Sequence, residues 1–149
     1  MTSVNPEDKY ERIRLKNQLC FPLYAASREI IRRYKPLLDE IELTYTQYIA
    51  MLVIWEHRTI SVKDMGARLY LDSGTLTPVL KKLEQKGLIV RRRDSGDERI
   101  LNITVTDKGM ALRDKAVNVP ERMACSVKLT PEEAVSLCTI LHKLLSDAE

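Results

Sequence analysis

Helical periodicity runs along both ends of this sequence and breaks once, after Gly87. Ahead of the break, Ser61-Val-Lys-Asp64 reads as a capping box, and Met65 and Leu69 supply the apolar face of a short helix. The turn-like Leu71-Asp72-Ser73-Gly74 follows. A second helix then places Leu76, Val79, Leu80 and Leu83 inward and closes on Gly87 at its C′ position. Pro78 requires that helix to start at Ser73 or Gly74, so that the proline falls near its first turn. Beyond Gly87, Leu88–Arg93 reads as a strand, Asp94–Glu98 as a turn-rich tip, and Ile100–Val105 as an alternating strand. Thr106 can cap a further helix. Two short helices joined by a tight turn and followed by a β-hairpin make a winged helix-turn-helix.

The flanks are helical. Apolar residues recur at positions 19, 23, 26, 30, 34, 37 and 41, a single stripe at helical spacing. Pro22 requires either a start near Gln18 or Leu19, or a kink in a longer helix. A further helix is expected from about Thr46 to Glu56, and another opens at Pro131 with Leu137, Leu141, Leu144 and Leu145 in line. The fold class is therefore mainly α with a small β-hairpin wing, in 149 residues that suit one domain. The longest apolar run, Tyr48–Trp55, is far too short to span a membrane. The first residues contain no apolar signal region, so the cytoplasm is the expected compartment.

Net charge is only +3, but it is unevenly placed. Residues 81–99 carry Lys81, Lys82, Lys86, Arg91, Arg92, Arg93 and Arg99 against four acids, whereas residues 130–149 carry Lys143 against four acids. On the second helix, Gly74, Pro78, Lys81 and Gln85 lie opposite the leucines, with Thr77 beside them. Small residues at a helix start allow close approach to a DNA backbone. Ser73 and Thr75 can bind phosphate there, Thr77 can touch base edges, and Lys81 and Lys82 add cations. Arg99, flanked by Asp97 at the hairpin tip, can enter a minor groove. A solvated charged surface is the plainer reading of any one of these features; their coincidence favours double-stranded DNA as partner.

Three cysteines exclude a fully paired intramolecular disulfide scaffold. If a helix begins near Leu19, Cys20 lies in its first turn, where the helix dipole favours a reactive thiolate. Tyr24 is one turn further on. Tyr34 shares that face but lies about 21 Å along the axis, out of reach of Cys20 in the same chain. Two such helices packed antiparallel about a two-fold axis would bring Cys20 of one chain beside Tyr34 of the other, as an isologous homodimer requires. Periodicity leaves a second reading open, in which Cys20 is a small buried hydrophobe and the tyrosines are core. Cys138 adjoins the final stripe and reads as core; Cys125 lies in less apolar sequence and reads as accessible. His57 and His142 are too few and too separate from the cysteines for a metal site. Trp55 reads as core, and nothing in the chain calls for a cofactor.

The segments Leu19–Glu29 (LCFPLYAASRE), Tyr34–Leu38, Leu43–Tyr48, Tyr70–Pro78 (YLDSGTLTP) and Asp97–Arg99 together resemble the organic hydroperoxide resistance regulators, a branch of the MarR family of winged-helix repressors. The resemblance covers about Leu15 to Gly109. It implies a cytoplasmic homodimeric repressor, not an enzyme, on a palindromic operator. Positions 46–109 would form the DNA-binding part, and positions 10–45 and 110–149 the dimerisation and sensing helices. Cys20 would be the peroxide-reactive cysteine, Tyr34 and Tyr45 the tyrosines that hydrogen-bond it from the other subunit, and Phe21 and Tyr24 part of an apolar pocket for an organic hydroperoxide. Asp97 and Arg99 would be the wing-tip pair. Cys125 looks like the resolving cysteine of the two-cysteine type, which forms an inter-chain disulfide, with Cys138 as its rival. Two other functions stand beside this one. One is a repressor of the same fold answering a reversibly bound aromatic ligand; the other is a thiol peroxidase, for which no motif is present.

Overall fold

The computed structural model describes residues 10–146. They fall into two compact units, divided in the chain between Val117 and Asn118. A 3-10 turn at Leu15–Asn17 precedes α1 (Cys20–Asp39). Then come α2 (Tyr45–His57), β1 (Thr59–Ser61), α3 (Val62–Leu69), α4 (Ser73–Gln85), β2 (Ile89–Arg93), β3 (Leu101–Val105) and α5 (Asp107–Ala116). The second unit holds α6 (Val119–Ser126) and α7 (Pro131–Ser146). The mainly helical class with a small β wing is the one expected. Among the described residues, no helix is long and apolar enough to cross a membrane.

Local chemistry sets the element boundaries. Helix α2 opens with a reciprocal cap: the Gln47 N–H donates to Thr44 Oγ1 at 3.3 Å, and the Thr44 N–H donates to Gln47 Oε1 at 3.1 Å. Ser61 caps α3 by accepting the Asp64 N–H at 3.0 Å, and Thr106 caps α5 by accepting the Gly109 N–H at 3.0 Å. Gly87, at φ 73°, ends the α4 segment, where the Leu88 N–H reaches back to the Leu83 carbonyl at 3.1 Å. Pro22 sits in the first turn of α1, so the helix that begins at Cys20 accommodates it.

Helix α2 is the centre of the first unit. Tyr48, Ala50, Met51, Ile54 and Trp55 are buried along it, and it touches α1, α3, α4, β1 and β3. Trp55 is core, and its indole N–H donates to the Gly109 carbonyl at 2.8 Å. A Cβ on Gly109 would lie 2.1 Å from the Leu88 carbonyl oxygen and 2.8 Å from Val105 Cγ2, so only glycine fits there.

Four features differ from the sequence-based expectation. The wing is a three-stranded antiparallel sheet in the order β1-β3-β2, because Thr59–Ser61 pairs with Asn102–Thr104. The helix-turn-helix bend begins one residue earlier than expected, at Tyr70, which takes a left-handed φ of 53°, while the helix that follows starts at Ser73, as the position of Pro78 required. Helix α6 was not foreseen. Cys138 is exposed rather than core, because α7 buries none of its residues within the chain.

Gly109→Ala is expected to destabilise by about 1–3 kcal/mol, since the backbone at Leu88 must move. Gly87→Ala, which meets no backbone clash and needs only a strained left-handed φ, should cost less than Gly109→Ala, about 1 kcal/mol. Thermal unfolding checks the order, at about 2–4 °C per kcal/mol for a chain of this size. Equal melting temperatures for Gly109→Ala and the unchanged protein would contradict this packing.

Candidate functional site

The surface of α4 follows from its burial. Leu76, Leu80 and Leu83 are fully covered, which turns Ser73, Gly74, Thr77, Pro78, Lys81 and Lys82 outward to solvent. Asp72 caps the helix: its carboxylate accepts the Thr75 N–H at 2.8 Å and the Thr75 hydroxyl at 3.1 Å. Those bonds hold the Asp72 carboxyl below its ordinary range. Thr75, expected to bind phosphate, therefore has its amide and hydroxyl spent on the cap. Thr77 donates its hydroxyl to the Ser73 carbonyl at 2.7 Å, leaving its methyl and lone pairs outward. Pro78 lacks the N–H that would bond the Gly74 carbonyl.

The wing is tied to this helix by a pair that sequence reasoning missed. Arg91 on β2 donates from Nε and Nη2 to Glu84 Oε2 at 2.9 and 2.7 Å, and its backbone N–H donates to Oε1 at 3.1 Å. The guanidinium holds the Glu84 carboxyl below its usual range. Arg91 is thus engaged, as are Lys86, which donates to the Glu42 carbonyl, and Lys108, which donates to the Lys86 carbonyl. Arg99 projects from the tip with 90% of its side chain exposed, paired through Nε and Nη2 to Asp97 at 3.0 Å each. A cleft of about 1110 Å³ separates the tip from the helices, and Ser73, Thr77, Lys63, Arg68 and Arg99 line it together with the carboxylates of Asp64 and Asp94. Its cations outnumber its carboxylates, and its hydroxyls can donate, which suits a polyanion.

The cysteine region lies on α1. Cys20 is the first helical residue and is exposed. Phe21 and Tyr24 are exposed beside it, at 43% and 59%. Arg28 donates to the Tyr24 hydroxyl at 3.2 Å and lies 5.5 Å over its ring. Further along, the Tyr34 ring packs 5.1 Å from Tyr45 and 5.8 Å from Tyr48, so the structure gathers Tyr34 and Tyr45 and adds Tyr48. Burial pushes all three phenols above their ordinary values, which keeps the hydroxyls protonated as donors. Straight helical rise puts Tyr34 about 21 Å from Cys20 of its own chain. Cys125 on α6 and Cys138 on α7 are also free and exposed, and the described residues contain no cluster able to hold a metal ion.

Comparison with known proteins settles the family. A family model described as transcriptional regulator SarA/Rot matches residues 32–116. A curated relative from Bacillus subtilis strain 168, the organic hydroperoxide resistance transcriptional regulator, is 50% identical over 93% of this chain and 95% of its own. The chain belongs to the organic hydroperoxide resistance branch of the MarR family. It is a DNA-binding transcriptional regulator, not an enzyme. Reduced AbfR bound to DNA, a Staphylococcus epidermidis protein, is similar in structure, with a TM-score of 0.77 and 35% identity over 94% of this chain and 98% of that one. A mutant MarR from E. coli on operator DNA shares the winged-helix fold, with a TM-score of 0.74 and 22% identity over 85% of this chain and 93% of that one.

For this regulator, Lys81→Ala is expected to weaken operator and unrelated duplexes alike and to lower the slope of log affinity against log salt by about one. Fluorescence anisotropy across a salt series measures both. An unchanged slope removes Lys81 from the phosphate contacts.

Proposed function

We propose that this regulator is a homodimeric repressor that holds a palindromic operator and releases it when an organic hydroperoxide oxidises Cys20. The observation that carries the reading is an exposed thiol at the start of α1, on the same helix as the part-buried Tyr34, whose hydroxyl has no hydrogen-bond partner among the described residues. Two antiparallel α1 helices about a two-fold axis supply the missing partner in both directions. Exposed apolar side chains support such pairing: Leu19 and Tyr24 near Cys20, and Val135, Ile140 and Leu144 along α7. A dimer also presents two recognition helices to two half-sites.

The chemistry needs no cofactor. The Cys20 thiolate attacks a peroxide oxygen, the O–O bond breaks, and the alcohol leaves with a proton. Tyr34 and Tyr45 of the second chain donate to the reacting sulfur, and Phe21 and Tyr24 face the organic group. The resulting sulfenic acid is attacked by the Cys125 thiol of the other chain, forming an S–S bond and releasing water. One hydroperoxide is thereby reduced to alcohol and water while two thiols are oxidised. The oxidised dimer holds its recognition helices at a spacing that no longer fits the operator, so the two redox states differ in DNA affinity. The B. subtilis relative's name and the solved reduced, overoxidised and disulfide forms of AbfR support this reading.

Non-reducing electrophoresis after cumene hydroperoxide tests it. The unchanged protein and Cys138→Ser should give a band at twice the chain mass; Cys20→Ser and Cys125→Ser should not. Loss of the band in Cys138→Ser alone moves the resolving role to Cys138. Absence of the band in the unchanged protein overturns the inter-chain disulfide. A Cys20→Ser protein that still leaves DNA on peroxide treatment favours a reversibly bound aromatic effector instead.

A further inference from the structure

The wing tip is built around a carboxylate that the DNA reading does not use. Asp94 directly follows β2, half-buried, where the chain reverses. Its Oδ1 accepts the Gly96 N–H at 2.9 Å and the Asp97 N–H at 3.2 Å. Its Oδ2 accepts from Asn102 Nδ2 at 3.0 Å, which anchors the carboxylate to the central strand β3. The backbone closes the same loop: the Asp94 N–H donates to the Ile100 carbonyl at 2.9 Å, and the Ile100 N–H donates to the Asp97 carbonyl at 2.9 Å.

Asp97 is the residue this frame delivers. Its Oδ1 accepts the Arg99 N–H and Nε–H, each at 3.0 Å, while Oδ2 accepts Nη2–H at 3.0 Å. An ion pair this exposed contributes little by itself, because water competes and a long side chain loses rotamer freedom. Direction therefore has to come from a fixed partner. Asp97 is fixed because its own amide is held by Asp94. The hydrogen bonds run in one unbroken series from Asn102 on the sheet through Asp94 and Asp97 to the guanidinium at the tip.

We propose that Asp94 is the positioning residue for the wing: it shapes the Asp94–Asp97 turn so that Asp97 aims Arg99 at DNA. Asp94 also lines the cleft that Ser73, Thr77 and Arg99 share. A carboxylate there faces an approaching polyanion, and simple electrostatics makes it a liability for DNA binding. Its presence is explained by the geometry it imposes. The inference rests on the reading that Arg99 contacts DNA, and the test separates the two.

Asp94→Ala and Asp94→Asn remove the same negative charge. If Asp94 acted through charge alone, both would tighten binding by the same factor. As a positioning residue, Asp94→Ala weakens binding about tenfold, toward the loss expected for the base-contacting arginine itself. Asp94→Asn restores binding, because an amide oxygen still accepts the Gly96 and Asp97 N–H groups and a flipped Asn102 amide can meet its NH2. In an Arg99→Ala background, Asp94→Ala then adds no further loss. The readout is anisotropy on a labelled duplex from the DNA flanking the protein's own gene, with a scrambled duplex alongside and thermal unfolding of each variant as a folding control. Arg99→Ala without effect overturns the DNA-contact reading. Arg99→Ala weakened with Asp94→Ala unchanged or tighter overturns this proposal alone. Equal losses for Asp94→Ala and Asp94→Asn overturn it as well.

Discussion

The hydrogen bond from the Trp55 indole to the Gly109 carbonyl holds the winged helix-turn-helix of this molecule together. It joins residues 54 positions apart in a buried environment, where an unpaired donor and acceptor would each be costly. The absence of a side chain at Gly109 lets α5 sit against the Leu88 backbone, so the start of the wing, the end of the wing and the central helix meet at one point. The Thr106 hydroxyl reinforces that point by donating to the Gly87 carbonyl at 2.7 Å. Helix α4 inherits its placement from this junction, because Leu88 begins where the α4 segment ends.

Helix α2 links the tyrosine cluster to the winged helix-turn-helix. Tyr45 and Tyr48 stand near its start beside Tyr34 of α1, while Trp55 stands near its end against α5. Fully buried Met51 and Ile54 lie between them. A change in how the tyrosines are held thus bears on the same rigid element that supports the helix-turn-helix. Charge is divided along similar lines. Arg91, Lys86 and Lys108 hold the winged helix in shape, and Lys81, Lys82 and Arg99 face outward. The positive excess of the module is accordingly part scaffold and part exposed surface.

Much of this was legible in the residues. The loss of helical period after Gly87 located the wing, and the glycine does end its helix with a positive φ. Cap residues marked where α3 and α5 begin. The rest escaped for physical reasons. Strand β1 has three residues, too few for alternation to register. The bend at Tyr70 uses a left-handed backbone at a non-glycine residue, which composition does not signal. The Glu84–Arg91 pair and the Asp94 frame depend on cross-element approach, so no spacing rule finds them. Cys138 was misjudged because a stripe tells which face is apolar, not whether its own chain covers it. The proposed role of Cys20 rests mainly on resemblance, and periodicity alone left it open.

The central claim is that oxidation at Cys20 and DNA release are one event. The direct measurement follows anisotropy of a labelled duplex from the protein's own flanking DNA as an organic hydroperoxide is added, with mass spectrometry of Cys20 on the same samples and dithiothreitol added last. The account predicts that bound DNA falls in step with oxidised Cys20 and returns when the disulfide is reduced. DNA that stays bound while Cys20 is fully oxidised would contradict it.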